Sequence, residues 1–230
     1  MDHLKLKLTV AYDGTHYKGW QLQKNGMTVQ QRIEEALRRL FPSVKRIHSS
    51  SRTDTGVHAR GMVAHVEVLK VEYRIEERKV RLALNAFLPG DVRVMEAKRV
   101  PMTFHARFDA SAKQYRYQVW NYPVMDPLQI NTAWHVPREL DLDRMRRGAG
   151  HFVGKRDFRA FAVKREYEMR STIRTVTGCK IYKNGSLLTW VIEGDGFLYK
   201  MCRGIVGTLV EVGNGKLKPG DVRDILKSCD

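Results

Sequence analysis

Residues 45–68 read KRIHSSSRTDTGVHARGMVAHVEV, and this stretch consists of a short strand, a polar loop and a longer strand. The loop, residues 49–61, has too few apolar residues for a core strand and too many hydroxyls, charges and glycines for an ordinary helix. Residues 61–68 alternate between apolar and polar side chains, as a half-buried strand does. We therefore expect the loop to lie between two strands.

The strands and helices predicted on either side of this strand-loop-strand segment complete a known order of secondary structure. Alternating side chains predict a strand over residues 4–12, and a capping box of Thr28 and Gln31 begins a helix. A second helix and a strand follow at residues 74–87 and 92–100. The order β-α-β-β-α-β is the split βαβ, or ferredoxin-like, pattern. It buries one face of a sheet under two helices and leaves the other face free.

The second half of the chain repeats much of this order. Residues 113–121 alternate as a strand does, and a helical stripe follows at Leu142, Met145, Ala149 and Phe152. Two strands flank Asn184-Gly185, a dipeptide that predicts a type I′ hairpin turn. A helix follows over residues 198–212, but the strand that would complete a second ferredoxin-like half is missing.

These patterns predict an α+β protein of two ferredoxin-like halves, with mainly antiparallel sheets that line a central basic cleft. We place the first half, which carries the polar loop, at residues 1–105. The second half, without its final strand, is placed at residues 106–230. Because one topology serves many functions, the fold alone does not define the activity.

The composition favours a nucleic-acid partner. The chain has 230 residues, with 41 Lys and Arg against 25 Asp and Glu and a formal charge of +16, and such an excess attracts a polyanion. A membrane surface is an alternative partner, although no apolar run approaches the ~20 residues of a membrane span and no export leader opens the chain. Cys179, Cys202 and Cys229 match neither a zinc spacing nor a disulfide framework, which favours a reducing cytoplasm.

One carboxylate, Asp54, stands in the middle of the polar loop, with Arg52 before it and His58 and Arg60 after it. A lone acid among bases and hydroxyls is a candidate nucleophile or general base. The alternative is an Asx turn, in which the side chain accepts hydrogen bonds from nearby backbone N–H groups. An exposed acid facing RNA would repel phosphates, so its presence favours chemistry or an inward salt bridge.

Two residues of the second half are further candidates. Arg203 shares a helix face with Val206 and Val210, and a partly buried arginine needs a carboxylate partner; alternatively, its side chain reaches out to water. Tyr115 is a candidate for stacking on a nucleobase, or else belongs to the core side of its strand. The sequence contains neither a metal-ligand spacing nor a phosphate-binding glycine motif.

Several long motifs stand in a fixed order along the chain: SRTDTGVHA at residues 51–59, YDGTHYKGWQ at 12–21, LNAFLP at 84–89, FHARF and KQYRY between 104 and 117, and GFLYKMCR with IVG between 196 and 207. Together they resemble the motifs of the TruA-type tRNA pseudouridine synthases. The resemblance covers nearly the whole chain and is far more specific than one short pattern.

The resemblance implies a role for each candidate residue. Asp54 is by this similarity the catalytic nucleophile, Tyr115 packs on the target base, Arg203 pairs with Asp54, and Arg52 helps to hold the everted nucleotide. The implied reaction is isomerisation of uridine to pseudouridine at positions 38–40 of the tRNA anticodon stem-loop. The resemblance implies neither a metal nor another cofactor, because nothing is oxidised and nothing leaves, and it implies a homodimer that binds tRNA across both subunits.

One departure and two alternatives stay open. Members of this family usually continue with a segment that ends in a Gly-Leu-containing strand and helps to wall the active site, whereas this sequence ends at Asp230. The first alternative is a catalytically silent RNA-binding protein on the same fold. The second is a membrane-surface protein that uses its positive charge.

Overall fold

The structure is a computed structural model that describes residues 2–163 and 171–228. It divides into two compact units, Met1–Ala110 and Ser111–Asp230. Cys229 lies outside the described residues. No described helix combines the length and apolarity that crossing a bilayer requires.

The first unit has the predicted split βαβ order. Its elements are β1 (His3–Tyr12), α1 (Val29–Leu40), β2 (Ile47–Ser49), β3 (Ala59–Leu69), α2 (Glu77–Phe87) and β4 (Val92–Val100). The four strands form one antiparallel sheet in the order β2-β3-β1-β4. This order places the polar loop between an edge strand and its neighbour.

The alternation in β1 and β3 builds the core of the first unit. Leu6 lies opposite Val66 and Leu8 lies opposite Ala64, and all four residues are fully buried. The predicted stripe of α1 joins the same core through Val29, Ile33 and Leu37. Sheet alternation and helix periodicity therefore bury the residues that the sequence assigned to the core.

The start of α1 uses half of the predicted capping box. The Thr28 hydroxyl accepts a hydrogen bond from the Gln31 N–H at 3.3 Å. The Gln31 side chain, however, donates to Glu35 Oε1 at 3.0 Å, one turn along the helix. The hydroxyl half alone satisfies one of the free N–H groups of the first turn.

The sheet face opposite the helices is not free, contrary to the expectation from topology. The Lys5 ammonium group donates to the carbonyl oxygens of Met102 at 2.6 Å and Phe104 at 2.9 Å. The Ala106 N–H donates to His65 Nδ1 at 3.1 Å. The irregular segment after β4 therefore covers part of this face and buries two polar side chains that the alternation had assigned to solvent.

The second unit contains a five-stranded sheet and three α-helices among its described residues. The elements are β5 (Lys113–Trp120), β6 (Trp134–His135), α3 (Leu142–Gly150), β7 (Gly154–Asp157), β8 (Ile173–Asn184), β9 (Leu187–Gly194), α4 (Met201–Gly213) and α5 (Asp221–Ser228). The strand order is β6-β5-β9-β8-β7. The sheet is antiparallel except where the short β6 runs parallel to the end of β5.

Two features of the second unit differ from the prediction. The strands β6 and β7 were not predicted, because segments this short show no clear alternation. The hairpin between β8 and β9 forms where expected, with Asn184 opposite Leu187. Its turn is not type I′, since Gly185 has a φ of +56° while no neighbouring residue has a positive φ, and a single leading glycine of this kind fits a type II′ turn.

Candidate active site

The polar loop of the first unit carries Asp54 between β2 and β3, as predicted. In the structure this loop is shorter than predicted and spans residues 50–58. The Ser50 N–H donates to the Val63 carbonyl at 2.8 Å, which extends the pairing of the two strands. The Val57 N–H donates to the Asp54 backbone carbonyl at 3.2 Å and closes a turn after Asp54. Asp54 itself is half-buried.

The Asp54 carboxylate is left open for chemistry within its own unit. The Asx-turn alternative is wrong, because the turn is closed by the backbone carbonyl and no backbone N–H in residues 2–110 binds the side-chain oxygens. Across the same residues no cation lies within ion-pair distance of them, so the inward salt bridge is not found inside this unit either. A half-buried carboxylate without an internal partner is suited to act as a nucleophile or base.

Residues 13–20, the first part of the loop between β1 and α1, hold the backbone on both sides of Asp54. The Trp20 N–H donates to the Thr53 carbonyl at 3.1 Å, and the Gly56 N–H donates to the Tyr17 carbonyl at 3.3 Å. The Tyr12 hydroxyl lies 2.8 Å from the Thr53 hydroxyl. These contacts fix the backbone immediately before Asp54 and two residues after it.

Glycines let the two loops approach each other closely. A Cβ at residue 14 would lie 2.1 Å from the Val57 carbonyl oxygen, and a Cβ at residue 19 would lie 2.5 Å from the Thr53 carbonyl oxygen. Gly19 also has a φ of +83°, which other residues rarely adopt. The contact between the loops therefore requires glycine at both positions.

His58 closes the loop against the start of the second one. Its Nδ1 lies 3.1 Å from the Gly14 N–H and 2.9 Å from Asp13 Oδ1. Nδ1 can make only one of these hydrogen bonds at a time. Without a proton, Nδ1 accepts from the Gly14 N–H; with a proton, it donates to Asp13. Hydrogen bonds from Thr15, together with His58, hold the pKa of the Asp13 carboxyl below its usual value, which favours an ionised carboxylate beside the ring.

The remaining predicted residues divide between the units. Arg52 shares the loop with Asp54 and is exposed to solvent. Tyr115 and Arg203 belong to the second unit.

Tyr115 lies on β5 and packs against an aromatic ring. Its ring centroid is 4.9 Å from that of Phe197, and the two planes meet at 75°, which is a favourable edge-to-face arrangement. Tyr115 is half-buried. The strand β5 and the segment before α4 thus meet at this aromatic pair.

Arg203 lies in the first turn of α4. The expectation that it is partly buried is wrong: Arg203 is exposed, whereas Val206 and Val210 are buried. The guanidinium group therefore follows the alternative that the sequence left open and extends into solvent. This turn is preceded by Lys200, which has a φ of +59°. No other non-glycine residue in the described part of the chain has a positive φ.

Other candidate chemistries find little support in the described residues. Burial raises the pKa values of Cys179 and Cys202 to about 12, so neither thiol supplies a reactive thiolate at neutral pH. Across residues 2–163 and 171–228, His, Cys, Asp and Glu side chains form no group of three placed to hold a metal ion.

The residues that support the loop are not among the predicted site residues. The side chains of Tyr12, Tyr17, Thr53 and Asp91 make specific hydrogen bonds around the loop, although the sequence places them only in motifs or turns. The sequence signal for these residues is the recurrence of tyrosine and glycine in residues 12–20. Glycines allow another backbone to approach closely, and tyrosine hydroxyls can form hydrogen bonds at such a contact.

Comparison with known proteins places the chain in a family. A family model described as tRNA pseudouridine synthase matches residues 8–109 and 149–230. The chain is 44% identical to tRNA pseudouridine synthase A of Geobacter sp. (strain M21) over 98% of its own length and 90% of that protein. It is 43% identical to the protein of the same name from Thermoanaerobacter sp. (strain X514), over 97% and 90%, and 40% identical to that of Methylacidiphilum infernorum, over 96% and 86%. The chain therefore belongs to the tRNA pseudouridine synthase family, which is a family of isomerases.

Proposed function

We propose that this protein isomerises uridine to pseudouridine at positions 38–40 of the tRNA anticodon stem-loop, with Asp54 as its catalytic residue. The observation that carries the proposal is the Asp54 carboxylate, which is held on a braced loop without an ionic or hydrogen-bonding partner in its own unit. Family membership and the formal charge of +16 support tRNA as the substrate.

The reaction needs no external reactant. The bond between uracil N1 and ribose C1′ breaks, the uracil turns, and C5 bonds to C1′; C5 loses a proton and N1 gains one, so the product has the same atoms as the substrate. Attack of Asp54 on C1′, attack on uracil C6 and removal of a ribose proton all require an ionised, accessible carboxylate at this position. The proposal assigns that requirement to Asp54 and leaves the order of steps to experiment.

The other site residues bind and hold the everted nucleotide. The exposed Arg52, next to Asp54 on the loop, contributes charge for the target phosphate. Tyr115 offers an aromatic face to the target base, worth about 1–3 kcal/mol when a base stacks on it. The family resemblance assigns Arg203 to the Asp54 carboxylate, and its solvent-exposed position on α4 leaves the guanidinium group available for that pairing.

The proposal also includes the setting of the enzyme. It works in the cytoplasm, where its tRNA substrate is found, and as a homodimer that engages tRNA with both subunits. The two ferredoxin-like halves, residues 1–105 and 106–230, act as its domains. No metal or other cofactor takes part in the proposed reaction.

The decisive experiment uses tRNA transcribed with tritium at uracil C5, because the isomerisation releases that tritium to water. The wild-type protein is expected to release it at positions 38–40, and Asp54→Asn is expected to release none while binding tRNA as tightly as wild type in a gel shift. Asp224→Asn, which changes an exposed acid on α5, serves as the matched control and should retain the wild-type rate.

Two outcomes would contradict the proposal. Release at the wild-type rate by Asp54→Asn would remove Asp54 from the chemistry. A wild-type protein that shifts tRNA in the gel without releasing tritium would instead be the catalytically silent RNA-binding protein on the same fold. Mapping the product on anticodon-arm variants with uridine at only one of the positions 38, 39 and 40 tests the assigned sites.

A further inference from the structure

We infer that Tyr17 and Asp91 are positioning residues for the Asp54 carboxylate, an inference that rests on the proposed role of Asp54. Neither side chain belongs to the loop that carries Asp54. Tyr17 lies in the loop of residues 13–20, and Asp91 lies in the turn between α2 and β4. The two residues connect that remote turn to the backbone around Asp54.

The first step of the connection is the contact between the two loops. Residues 17 and 20 bind the backbone on both sides of Asp54, through the Tyr17 carbonyl with the Gly56 N–H and the Trp20 N–H with the Thr53 carbonyl. A shift of this short segment would therefore move the backbone of the Asp54 loop with it. These two hydrogen bonds join the two loops, but they do not fix the position of residues 17–20 relative to the sheet.

The second step fixes that segment to the sheet. The Tyr17 hydroxyl donates to Asp91 Oδ1 at 2.8 Å, and the Asp13 N–H donates to the Asp91 carbonyl at 2.9 Å. Asp91 directly precedes β4, which pairs with the central strand β1. The loop of residues 13–20 is thus held at two points by the residue that directly precedes β4.

The character of the Tyr17–Asp91 bond suits it to positioning. Tyr17 is only 4% exposed, and its hydroxyl meets the Asp91 carboxylate in a partly buried setting. Burial, together with the hydrogen bond to Asp91, raises the pKa of Tyr17 to about 12, and the hydroxyl stays a donor throughout the neutral range. A hydrogen bond to an ionised carboxylate is among the stronger ones in proteins.

Displacement of the Asp54 carboxylate should affect the rate of the chemical step more than the affinity for tRNA. A reacting group that is displaced by about 1 Å can lose roughly a hundredfold in rate, while an RNA held by many phosphate contacts is little affected. Loss of the Tyr17 hydroxyl should therefore lower the rate of the chemical step and leave tRNA affinity nearly unchanged. A hydroxyl that only stabilised the fold would not produce this separation.

The test measures the single-turnover rate of tritium release at saturating enzyme, the Kd for tRNA and the Tm for a set of variants. Tyr17→Phe is expected to lower the rate about tenfold to a hundredfold, with a Kd within about twofold of wild type. Asp91→Ala should have the same effect, whereas Asp91→Asn keeps an acceptor oxygen for the Tyr17 hydroxyl and should recover most of the rate. Tyr73→Phe is the matched control, because the buried Tyr73 hydroxyl has no hydrogen-bond partner among the described residues.

The outcomes separate this inference from the proposed function. If Asp54→Asn abolishes tritium release and Tyr17→Phe keeps the wild-type rate, the positioning role is wrong and the catalytic role stands. If Asp54→Asn keeps the wild-type rate, both fail together. If Tyr17→Phe does not fold, the two Asp91 variants decide, and equal rates for Asp91→Ala and Asp91→Asn, or loss of folding in both, would overturn the positioning role.

Discussion

The carbonyl oxygen of Thr53 lies against the backbone of Gly19, so close that a Cβ on residue 19 would approach it to 2.5 Å. The next residue, Trp20, donates its N–H to the same oxygen at 3.1 Å. Thr53 immediately precedes Asp54. The position of the candidate catalytic carboxylate therefore depends on a residue more than thirty positions earlier in the chain that has no side chain.

Gly19→Ala is expected to impair both stability and activity. The new methyl group would meet a backbone oxygen, and residue 19 would keep a φ of +83° that costs a non-glycine residue about 1–2 kcal/mol. We expect the free energy of unfolding to fall by about 2–5 kcal/mol in all, since overpacking adds roughly 1–3 kcal/mol, and tritium release to slow at least tenfold. Urea unfolding and the tritium assay measure the two effects.

Gly185→Ala is the matched control for that substitution. Gly185 also has a positive φ, +56°, but a Cβ there would meet no atom within 4 Å. It should therefore show only the backbone cost of about 1 kcal/mol and keep full activity. Equal losses in both variants would show that the contact with Thr53 contributes nothing.

Glu34→Ala should destabilise the first unit strongly. The Glu34 side chain is 5% exposed and accepts hydrogen bonds from the Gln30 side chain at 2.8 Å, the Arg38 guanidinium at 3.0 Å and the Ile47 N–H at 3.1 Å. Its removal leaves two buried donors, the Gln30 side chain and the Ile47 N–H, unsatisfied, which costs about 1–3 kcal/mol for each such group. We expect a loss of roughly 2–4 kcal/mol in the free energy of unfolding, measured by urea denaturation.

The neighbouring Glu35 provides the control for Glu34. Glu35 forms an exposed ion pair with Arg32 at 3.3 Å, and exposed pairs contribute roughly 0–1 kcal/mol. Glu35→Ala should therefore change the free energy of unfolding by less than about 1 kcal/mol. If the two alanine variants unfolded at the same urea concentration, the buried network would not be the source of the stability.

His65 should make stability fall on acidification. His65 is 4% exposed, and burial, followed by the nearby His105, Lys5 and His48, lowers its pKa from 6.5 to about 4. Between these values the unfolded chain binds a proton that the folded chain does not, so stability is full above about pH 6.5 and declines as the pH falls towards 4. The difference corresponds to roughly 3 kcal/mol.

The pH effect is checked by urea denaturation of wild type and His65→Gln from pH 7 to pH 4. The variant removes the titrating ring and should show a decline that is smaller by the contribution of His65. His16→Gln changes an exposed histidine that is not part of the group formed by His48, His65 and His105, and this variant should keep the wild-type profile. Superimposable profiles for wild type and His65→Gln would contradict the assignment.

Arg52→Gln should weaken tRNA binding through the loss of one phosphate contact. The logarithm of the binding constant should depend less steeply on the logarithm of the salt concentration, with the slope reduced by about 1. Arg78→Gln is the control, because Arg78 is already paired with Glu76 at 2.6 Å. An unchanged salt slope for Arg52→Gln, measured by filter binding, would exclude Arg52 from phosphate contact.

Periodicity made much of the fold predictable. The alternation in residues 4–12 and 61–68 placed two strands of the first unit, and the helical stripe that includes Ile33 and Leu37 placed α1. Each pattern arises locally, because the pleat and the helical turn expose every second or every third to fourth side chain to the core. The family motifs are also contiguous in the chain. They therefore indicated the loop of Asp54 from the sequence alone.

Contacts between distant residues left no such pattern. Nothing in the alternation around Lys5 and His65 showed that residues 102–106 would cover them, and the periodicity around Arg203 suggested burial where the side chain is exposed. The bond between Tyr17 and Asp91 spans 74 positions. Local periodicity assigns a residue to a face, but which distant segment covers that face, and which hydroxyl meets which carboxylate, is settled only when the packed chain brings them within hydrogen-bonding range.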